Sequence, residues 1–234
     1  MANKNVLCIY DFETGGKYPN RSQVTSLSCV MVDPVRLEIL RNGTFDTLVR
    51  PIFDEAECAK LGLEPLQQEA MDVTGIKIED LEKAPSEKEA IDRFVAHLEK
   101  FSSGTGAWGK PIPCGFNIIS FDNVIMSRLA KKYGYWDNDR EQQNIFHCRD
   151  NLDVMHIIWK IFENDRSVWS ISFDNCRKYL GLSSEGAHSS LVDCEQVAAF
   201  LIRYLKWFRS TVPKMKLKDS MKGINIQDFY DIPS

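Results

Sequence analysis

The sequence lacks features that would each have indicated a particular class of protein. Its seven cysteines include no Cys-x-x-Cys pair and stand mostly among apolar neighbours, which is typical of reduced, buried thiols rather than disulfides or zinc ligands. No apolar stretch approaches the roughly 20 residues of a membrane-spanning helix. The apolar run at residues 6–10 is too short for a signal peptide. We therefore expect a cytoplasmic protein that does not contact the membrane.

Positive charge is also scarce, because 29 lysines and arginines face 33 acidic residues and the formal net charge is −4. This balance disfavours a protein that holds nucleic acid mainly through a broad basic surface. Nucleic acid itself is not excluded, since divalent metals in an acidic site can bridge carboxylates to phosphate oxygens. With 234 residues, 44% of them hydrophobic, the chain fits one globular domain of ordinary to large size.

Apolar runs bounded by turn residues predict the strands of a mixed five-stranded sheet. The predicted strands are residues 6–10, 24–32, 45–49, 111–116 and 145–148. Turn chemistry at Asp33-Pro34 and at Arg41-Asn42-Gly43 makes the first three an antiparallel meander. Strands that come first and then alternate with helices indicate an α/β layer structure in which helices flank the sheet.

Helical spacing of apolar residues is most regular after Ser86, which opens a capping-box pattern with Glu89. Further predicted helices are residues 121–134, 152–161, 172–180 and 190–208. Residues 51–84 predict only short helical turns, and residues 135–144 predict a loop. From about residue 210 the chain is rich in lysine and then polar, so we expect a folded domain over residues 1–209 and a loosely ordered or partner-dependent tail over residues 210–234.

Asp11 and Glu13 end the first predicted strand. Side chains alternate along a strand, so both carboxylates project onto one face of a buried sheet. Two ionised carboxylates there repel each other and lose their hydration, so one must be protonated or a cation must neutralise them. Asp-x-Glu occurs four times, beginning at Asp11, Asp80, Asp139 and Asp193. Placement on a buried strand, rather than spacing, therefore distinguishes the first copy.

Two more carboxylates and one histidine complete a candidate site. Asp122 is predicted at a strand-to-helix turn, and ligands gather at the carboxyl ends of strands in such sheets. Asp193 shares the apolar stripe of the last helix with Val197, which is costly for an unpartnered carboxylate. His188 precedes Asp193 by five residues, which turns a helix by about 140°, so we expect His188 on the loop around residues 183–187.

Four carboxylates and one histidine fit phosphodiester hydrolysis assisted by two metal ions, one activating water and one stabilising the leaving oxygen. Oxygen ligands favour magnesium or manganese over zinc. An imidazole with an unperturbed pKa of about 6.5 suits a general base for the attacking water. His188 is therefore the candidate base.

Three segments resemble, in the right order, the three exonuclease motifs of the DEDDh 3'-5' exonuclease family. They are Asp11 to Gly15, Gly115 to Asn117 with Phe121-Asp122, and Ala187-His188 with Asp193. The similarity extends from about residue 5 to residue 208. It implies a ribonuclease-H-like fold, release of nucleoside 5'-monophosphates from a free 3' end, and His188 as base. It also implies two Mg²⁺ ions, replaceable by Mn²⁺, with four carboxylate ligands, Asp11, Glu13, Asp122 and Asp193.

The same resemblance implies a set of substrate-binding residues. They are Phe12, Thr14 and Gly15 against the terminal nucleotide, and Phe116, Asn117 and Phe121 lining its pocket. The motifs are most similar to those of the bacterial single-strand-specific DNA exonucleases, which have tyrosine at the position of Phe116; the phenylalanine removes a hydroxyl but keeps a stacking face. Single-stranded DNA or frayed 3' ends are the implied substrates, in proofreading or repair, with a polymerase or replication protein as a possible partner.

Two other functions stay open from the sequence alone. The same metals would serve an exoribonuclease that trims RNA 3' ends or short oligoribonucleotides. A chain of this family could also be an inactive nucleic-acid-binding or polymerase-associated module, for which loss of a ligand residue would be the expected mark, and all five residues are present.

Single residues also have plain structural alternatives. Asp122 could be only a charge at a helix N-terminus, and each of the three phenylalanines could belong to the core. Asp150 and Asp153 are nearby acidic residues that could bind metal, although they could equally cap or flank a helix. The lysine pair Lys131-Lys132 and the lysines of residues 214–218 could steer a nucleic-acid backbone, but charge runs are usually solvated surface.

Overall fold

A computed structural model describes the backbone of residues 5–104 and 106–215. The strands in this part of the chain are β1 (Leu7–Thr14), β2 (Val24–Asp33), β3 (Glu38–Leu48), β4 (Ile112–Gly115), β5 (Trp136–Asp137), β6 (Gln142–Gln143) and β7 (Leu152–Asp153). The helices are α1 (Glu55–Lys60), α2 (Gln68–Thr74), α3 (Ile78–Lys83), α4 (Glu87–Glu99), α5 (Asp122–Tyr133), α6 (Val154–Phe162), α7 (Phe173–Leu180) and α8 (Ser190–Met215).

Five of the strands form one mixed sheet in the order β3-β2-β1-β4-β7. β1, β2 and β3 make an antiparallel meander, while β4 pairs parallel to β1 and β7 pairs parallel to β4. This arrangement confirms the predicted ribonuclease-H-like fold with its first three strands antiparallel. Because β1, β4 and β7 run in the same direction, their carboxyl ends meet at one edge of the sheet.

The alternation of side chains along β1 divides the core into two layers. Cys8, Tyr10 and Phe12 point to a cluster that includes apolar residues of α4 and α5. Leu7 and Ile9 point to the opposite cluster, which includes apolar residues of α6, α7 and α8. The sheet is therefore covered on both faces, as expected for strands with near-continuous apolar sequence.

Several predicted element boundaries are confirmed by the local chemistry. Ser86 accepts a hydrogen bond from the amide of Glu89, and the Glu89 carboxylate accepts one from the amide of Ser86, so α4 begins with a complete capping box. Ser172 caps α7 in the same way, by accepting from the amide of Asn175. Gly134 and Gly181 end α5 and α7 at φ values of 82° and 66°, where a side chain would be strained.

The predicted turn at Arg41-Asn42-Gly43 is wrong, because these residues lie inside β3. The connection between β2 and β3 is residues 34–37 instead, with Leu37 at a φ of 57°. Asn42 also has a φ of 57°, and the pairing register shifts between Val30 and Val32 of the neighbouring strand. Asn42, whose left-handed conformation would also suit a turn, therefore lies at a β-bulge inside the paired strands.

The predicted strand at residues 145–148 is also wrong. Ile145 and Phe146 are buried, but they belong to an irregular segment, and the fifth strand of the sheet is β7, at the start of the predicted helix. The predicted loop at residues 135–144 contains the two-residue strands β5 and β6. Burial of a short apolar run in a core does not require a strand, which explains the misassignment.

Helix α8 passes both its predicted end at residue 208 and the predicted domain boundary at residue 209, and it continues to Met215. The remainder of the predicted tail, residues 216–234, lies outside the described residues. Among the helices described, none combines the length and the apolar character that crossing a membrane requires.

Candidate active site

Asp11 and Glu13 lie at the carboxyl end of β1 and face the same side of the sheet as Ile9. The strand register explains their placement, since β1 pairs along its whole length with β2. Both side chains are half-buried. One oxygen of each, together with one oxygen of Asp193, lies within 4.8 Å of the others. Three carboxylates from two elements therefore converge at one point, and the alternation of side chains along the first strand predicted this for Asp11 and Glu13.

Asp193 reaches this point because α8 packs across the face of β1 and β2. The start of α8 is anchored by Ser190, whose hydroxyl lies 2.8 Å from that of Ser26 and 2.6 Å from that of Ser28. All three serines are buried. This hydroxyl cluster fixes the first turn of the helix against β2 and so determines where the carboxylate of Asp193 lies.

Asp122 is the first residue of α5 and is only 2% exposed. Its Oδ1 accepts a hydrogen bond of 3.0 Å from the backbone amide of Phe12, so the carboxylate is held directly against β1. The next residue, Asn123, accepts a hydrogen bond of 2.7 Å from the hydroxyl of Tyr10. The helix N-terminus is thus attached to the strand that carries the other two carboxylates.

His188 lies on the turn before α8 and has a φ of 65°. A residue in this conformation is uncommon outside glycine, and such positions cluster at functional sites. The imidazole Nε2 lies 3.7 Å from Oδ1 of Asp174, and the His188 side chain is 38% exposed. His188 therefore occupies a loop while Asp193 lies within the helix, as the five-residue spacing predicted.

One cleft of about 440 Å³ brings the predicted residues together. Its lining contains the five candidate catalytic residues, Asp11, Glu13, Asp122, His188 and Asp193. It also contains the predicted substrate-binding residues Phe12, Phe116, Asn117 and Phe121. Thr14 and Gly15 are not part of this lining, so the structure separates them from the other nine.

Thr14 and Gly15 have contacts that explain their presence without a substrate. Thr14 is buried and donates a hydrogen bond of 2.7 Å to the carbonyl of Gly16. A Cβ on Gly15 would lie 2.3 Å from Cδ2 of Leu66, so the small residue accommodates the segment that crosses over it. Phe12 lines the cleft, but it is 4% exposed and its ring packs edge-on against Tyr10 in the core.

The pocket residues after β4 are held by a short, constrained turn. A Cβ on Gly115 would lie 2.2 Å from Cγ2 of Ile118 and 2.8 Å from the carbonyl oxygen of Tyr10, so only glycine fits there. Asn117 has a φ of 59°, and its backbone N–H donates a hydrogen bond of 2.9 Å to Oδ1 of Asp153. The ring of Phe116 packs against another aromatic ring of the cleft.

Asp153 is therefore a positioning residue that the sequence did not reveal as such. Besides Asn117, its carboxylate accepts hydrogen bonds from the amides of Ile119 at 3.2 Å and Met155 at 3.0 Å. The bond to Met155 caps α6, which confirms the helix-capping alternative. Asp150, the other nearby acid, contacts Arg149 and His147 instead.

Arg177 is the charged residue of the site that sequence reasoning missed. It is 1% exposed, and its guanidinium donates to the carboxylate of Asp193, to Asp174 at 2.6 Å and to the side chain of Gln196 at 2.8 Å. It also lies 4.1 Å from the ring centroid of Phe173. In the sequence it is one arginine in an amphipathic helix, and no local signal distinguishes it.

The electrostatics of the cleft favour proton uptake by its carboxyl groups. Burial, followed by repulsion from Asp193 and Asp122, raises the pKa of Glu13 to about 8. Burial raises the pKa of Asp122 to about 7, against the opposing hydrogen bond from Phe12. The pKa of Asp11 is raised well above its usual value by burial and by Asp122. Burial likewise raises the pKa of Asp193, although Arg177 opposes the shift.

A group of oxygen ligands with raised pKa values and mutual repulsion fits a divalent cation, because a cation removes the repulsion that burial has made costly. The converging oxygens of Asp11, Glu13 and Asp193 could hold such an ion. A ribonuclease-H-like sheet that carries this acidic cleft at the carboxyl ends of its strands defines a nuclease.

The chain belongs to the RNase T exonuclease family, whose model matches residues 8–201. No curated protein sequence matches the chain. Its fold is similar to that of Escherichia coli exonuclease I in complex with a dT13 oligonucleotide, with a TM-score of 0.65 and 14% identity over 91% of this chain and 42% of that one.

Two further solved structures show the same fold. Cell-death related nuclease 4 has a TM-score of 0.62 and 17% identity, over 87% of this chain and 64% of that one. A moderately thermophilic exonuclease I from Methylocaldum szegediense has a TM-score of 0.61 and 19% identity, over 85% of this chain and 40% of that one. The chain thus spans less than half the length of these exonuclease I chains.

Proposed function

We propose that the protein is a 3'-5' exonuclease that hydrolyses the terminal phosphodiester bond of single-stranded DNA, or of frayed ends, and releases nucleoside 5'-monophosphates. The observation that carries this proposal is the convergence of three carboxylate oxygens within 4.8 Å, on a cleft that also contains Asp122 and His188. Membership of the exonuclease family is consistent with it.

Each residue has a distinct role in this proposal. Asp11, Glu13, Asp122 and Asp193 hold two Mg²⁺ ions, for which Mn²⁺ can substitute, since all four supply hard oxygen ligands. The bound ions supply neutralisation of phosphate charge and a lowered pKa for the attacking water. His188 accepts the proton of that water, for which an exposed imidazole that can also shed the proton to solvent is well suited.

Single-stranded DNA is proposed as the substrate on two grounds. The cleft is lined by Phe116 and Phe173, whose ring centroids are 4.8 Å apart, and aromatic rings bind the exposed faces of unpaired bases. Escherichia coli exonuclease I, whose fold is similar, has been solved with DNA oligonucleotides. Cytoplasmic location and a polymerase or replication partner remain predictions from the sequence.

The experiment that tests the proposal is digestion of a 5'-labelled single strand with and without Mg²⁺. We expect a ladder that shortens from the 3' end only when the metal is present. Asp11→Asn removes one ligand charge with little change of shape, and we expect a rate decrease of about 1,000-fold, corresponding to several kcal/mol of metal assistance. The matched control is Asp139→Asn, which changes the first residue of another Asp-x-Glu sequence, an exposed one.

Equal rates for the Asp11 variant and the native protein would show that the site is assigned wrongly. Shortening of a 3'-labelled strand from its 5' end would contradict the polarity. Digestion of matched RNA strands tests the exoribonuclease alternative. Faster digestion of RNA than of DNA would show that RNA, and not DNA, is the preferred substrate.

A further inference from the structure

A second groove, of about 820 Å³, runs along the solvent side of α5. Most of its lining comes from that one helix. The lining residues are Asn20, Ile119, Asn123, Val124, Ser127, Arg128, Lys131 and Lys132. None of them belongs to the candidate catalytic set, so the groove is a separate feature of the surface.

Neighbouring residues line the groove and the catalytic cleft. Asp122 lines the cleft, whereas the next two residues of α5, Asn123 and Val124, line the groove. In the same way, Asn117 lines the cleft and Ile119 lines the groove. The cleft and the groove therefore approach each other at the first turn of α5.

The groove residues of α5 form two adjacent stripes with a spacing of four residues. One stripe is Asn123, Ser127 and Lys131, and the other is Val124, Arg128 and Lys132. A helix rises 1.5 Å per residue, so the stripes lead away from the cleft for about 14 Å. Polarity changes along them, from amide and hydroxyl near the cleft to cationic groups at the far end.

The cationic groups are incompletely neutralised. Lys132 forms an ion pair of 2.5 Å with Glu87. Neither Arg128 nor Lys131 is paired with a carboxylate among the side chains that the structure describes. Arg128 donates from Nη2 to the carbonyl of Ser22 at 2.7 Å, and its buried Nε has no hydrogen-bond partner among those side chains and backbone groups.

Lys131 lies 4.2 Å from the ring centroid of Trp136, which orients the ammonium without neutralising it. Near the cleft, Asn123 uses its carbonyl oxygen to accept from Tyr10, which leaves its amide nitrogen as a donor for a ligand. In a chain with a net charge of −4, a groove that combines hydrogen-bond donors with an ammonium group that has no carboxylate partner among the described side chains favours a polyanion.

We propose that this groove binds the phosphodiester backbone of the substrate strand upstream of the terminal nucleotide. The proposal rests on the proposed nuclease function and adds to it a dependence on substrate length. A strand held in the cleft and along α5 releases counterions from its upstream phosphates, which strengthens binding in a manner that salt reverses. A dinucleotide fills the cleft alone and gains nothing from the groove.

The test compares a dinucleotide with a single strand of about twelve nucleotides, a length within the range that single-strand-binding grooves cover. The variant is Lys131→Gln with Lys132→Gln. For each phosphate that the variant no longer binds, we expect kcat/KM for the long strand to fall about five- to tenfold at about 50 mM salt. The slope of log kcat/KM against log salt concentration should become smaller in magnitude by about 0.7 per lost phosphate contact. The dinucleotide should be cleaved at an unchanged rate.

The matched control is Lys60→Gln with Lys100→Gln, which makes the same change of net charge at two exposed lysines outside the groove. A second variant, Ser127→Glu, places a negative charge in the middle of the groove and should also impair only the long strand. Melting temperatures verify that each variant is folded.

The possible results separate the two proposals. Absence of cleavage of both substrates by the native protein refutes the nuclease function itself. Normal cleavage of the long strand by both groove variants, or an equal decrease in the Lys60 and Lys100 control, overturns the groove proposal while the nuclease function stands. Equal decreases on the dinucleotide and the long strand overturn it as well, because they would indicate an effect on the cleft.

Discussion

Asp122 and His188 line the same cleft but are held in opposite ways. Asp122 is 2% exposed, accepts a hydrogen bond from the amide of Phe12, and begins a helix that packs on the sheet. His188 lies on a surface turn, is 38% exposed, and has as its ionic neighbour Asp174, which is 54% exposed. The core therefore fixes the position of the Asp122 carboxylate, whereas a turn at the surface fixes the position of the candidate base.

This difference has a physical reason. A carboxylate that must hold a cation gains from a fixed position, because each displacement weakens several electrostatic contacts at once. An imidazole that must exchange a proton with solvent needs exposure, since burial disfavours its charged form. Substitutions in the two regions should therefore separate effects on catalysis from effects on stability.

The largest effect is expected at the exposed turn. His188→Gln keeps a polar side chain but removes the imidazole that accepts the proton of the attacking water, so we expect kcat to fall by about 100- to 10,000-fold. Calorimetry should show unchanged binding of Mn²⁺, and the melting temperature should stay the same. His156→Gln, on the exposed side of α6, is the control. A variant of His188 with native kcat would remove it from the mechanism.

A large effect of a different kind is expected in the buried region. Arg177→Met removes the guanidinium that joins Asp174, Asp193 and Gln196, and breaking a buried ion pair from one side costs about 3–5 kcal/mol. Urea unfolding measures this destabilisation. Arg36→Met is the control: Arg36 also pairs with two carboxylates, but its side chain is 68% exposed, and such pairs contribute at most about 1 kcal/mol. Equal destabilisation by the two substitutions would contradict the role of burial.

The third effect is a dependence of stability on pH in the absence of divalent metal. The pKa of Glu13 rises from 4.5 to about 8 on folding, and that of Asp122 rises from 3.8 to about 7. Between about pH 5 and 7 the folded state therefore binds more protons than the unfolded state, so the free energy of unfolding should fall as pH rises. Added Mg²⁺ should reduce this slope, because it stabilises the ionised carboxylates.

The same unfolding series with Glu13→Gln is the control for the pH effect. Removal of one carboxyl group with a raised pKa should make the free energy of unfolding less dependent on pH. A native protein whose stability is constant from about pH 5 to 7 would show that these carboxyl groups do not take up protons on folding.

Three local rules made the sequence informative about the fold and the site. Alternation along one strand places Asp11 and Glu13 on the same face, and the capping box at Ser86 starts a helix. The spacing from His188 to Asp193 separates loop from helix. Each inference needs only neighbouring residues, and the structure agrees with each.

Features that depend on distant contacts could not be predicted in this way. Arg177 matters because α7 packs beside α8, and Gly15 is small because Leu66, far along the chain, crosses over it. The φ of 57° at Asn42 looks like a turn locally but is absorbed by a bulge between β2 and β3. Apolar residues at 145–146 fill the core without joining the sheet, which only the completed packing reveals.

The close fit around Gly115 determines which parts of this protein are open to redesign. Because a single added carbon would meet both Ile118 and the carbonyl of Tyr10, variation at that position would separate two paired strands. Phe116, one residue later, carries a partly exposed ring on the cleft. In the proposed function, a library that randomises residue 116 and leaves residue 115 untouched would therefore test whether this ring sets a base preference, on an intact scaffold.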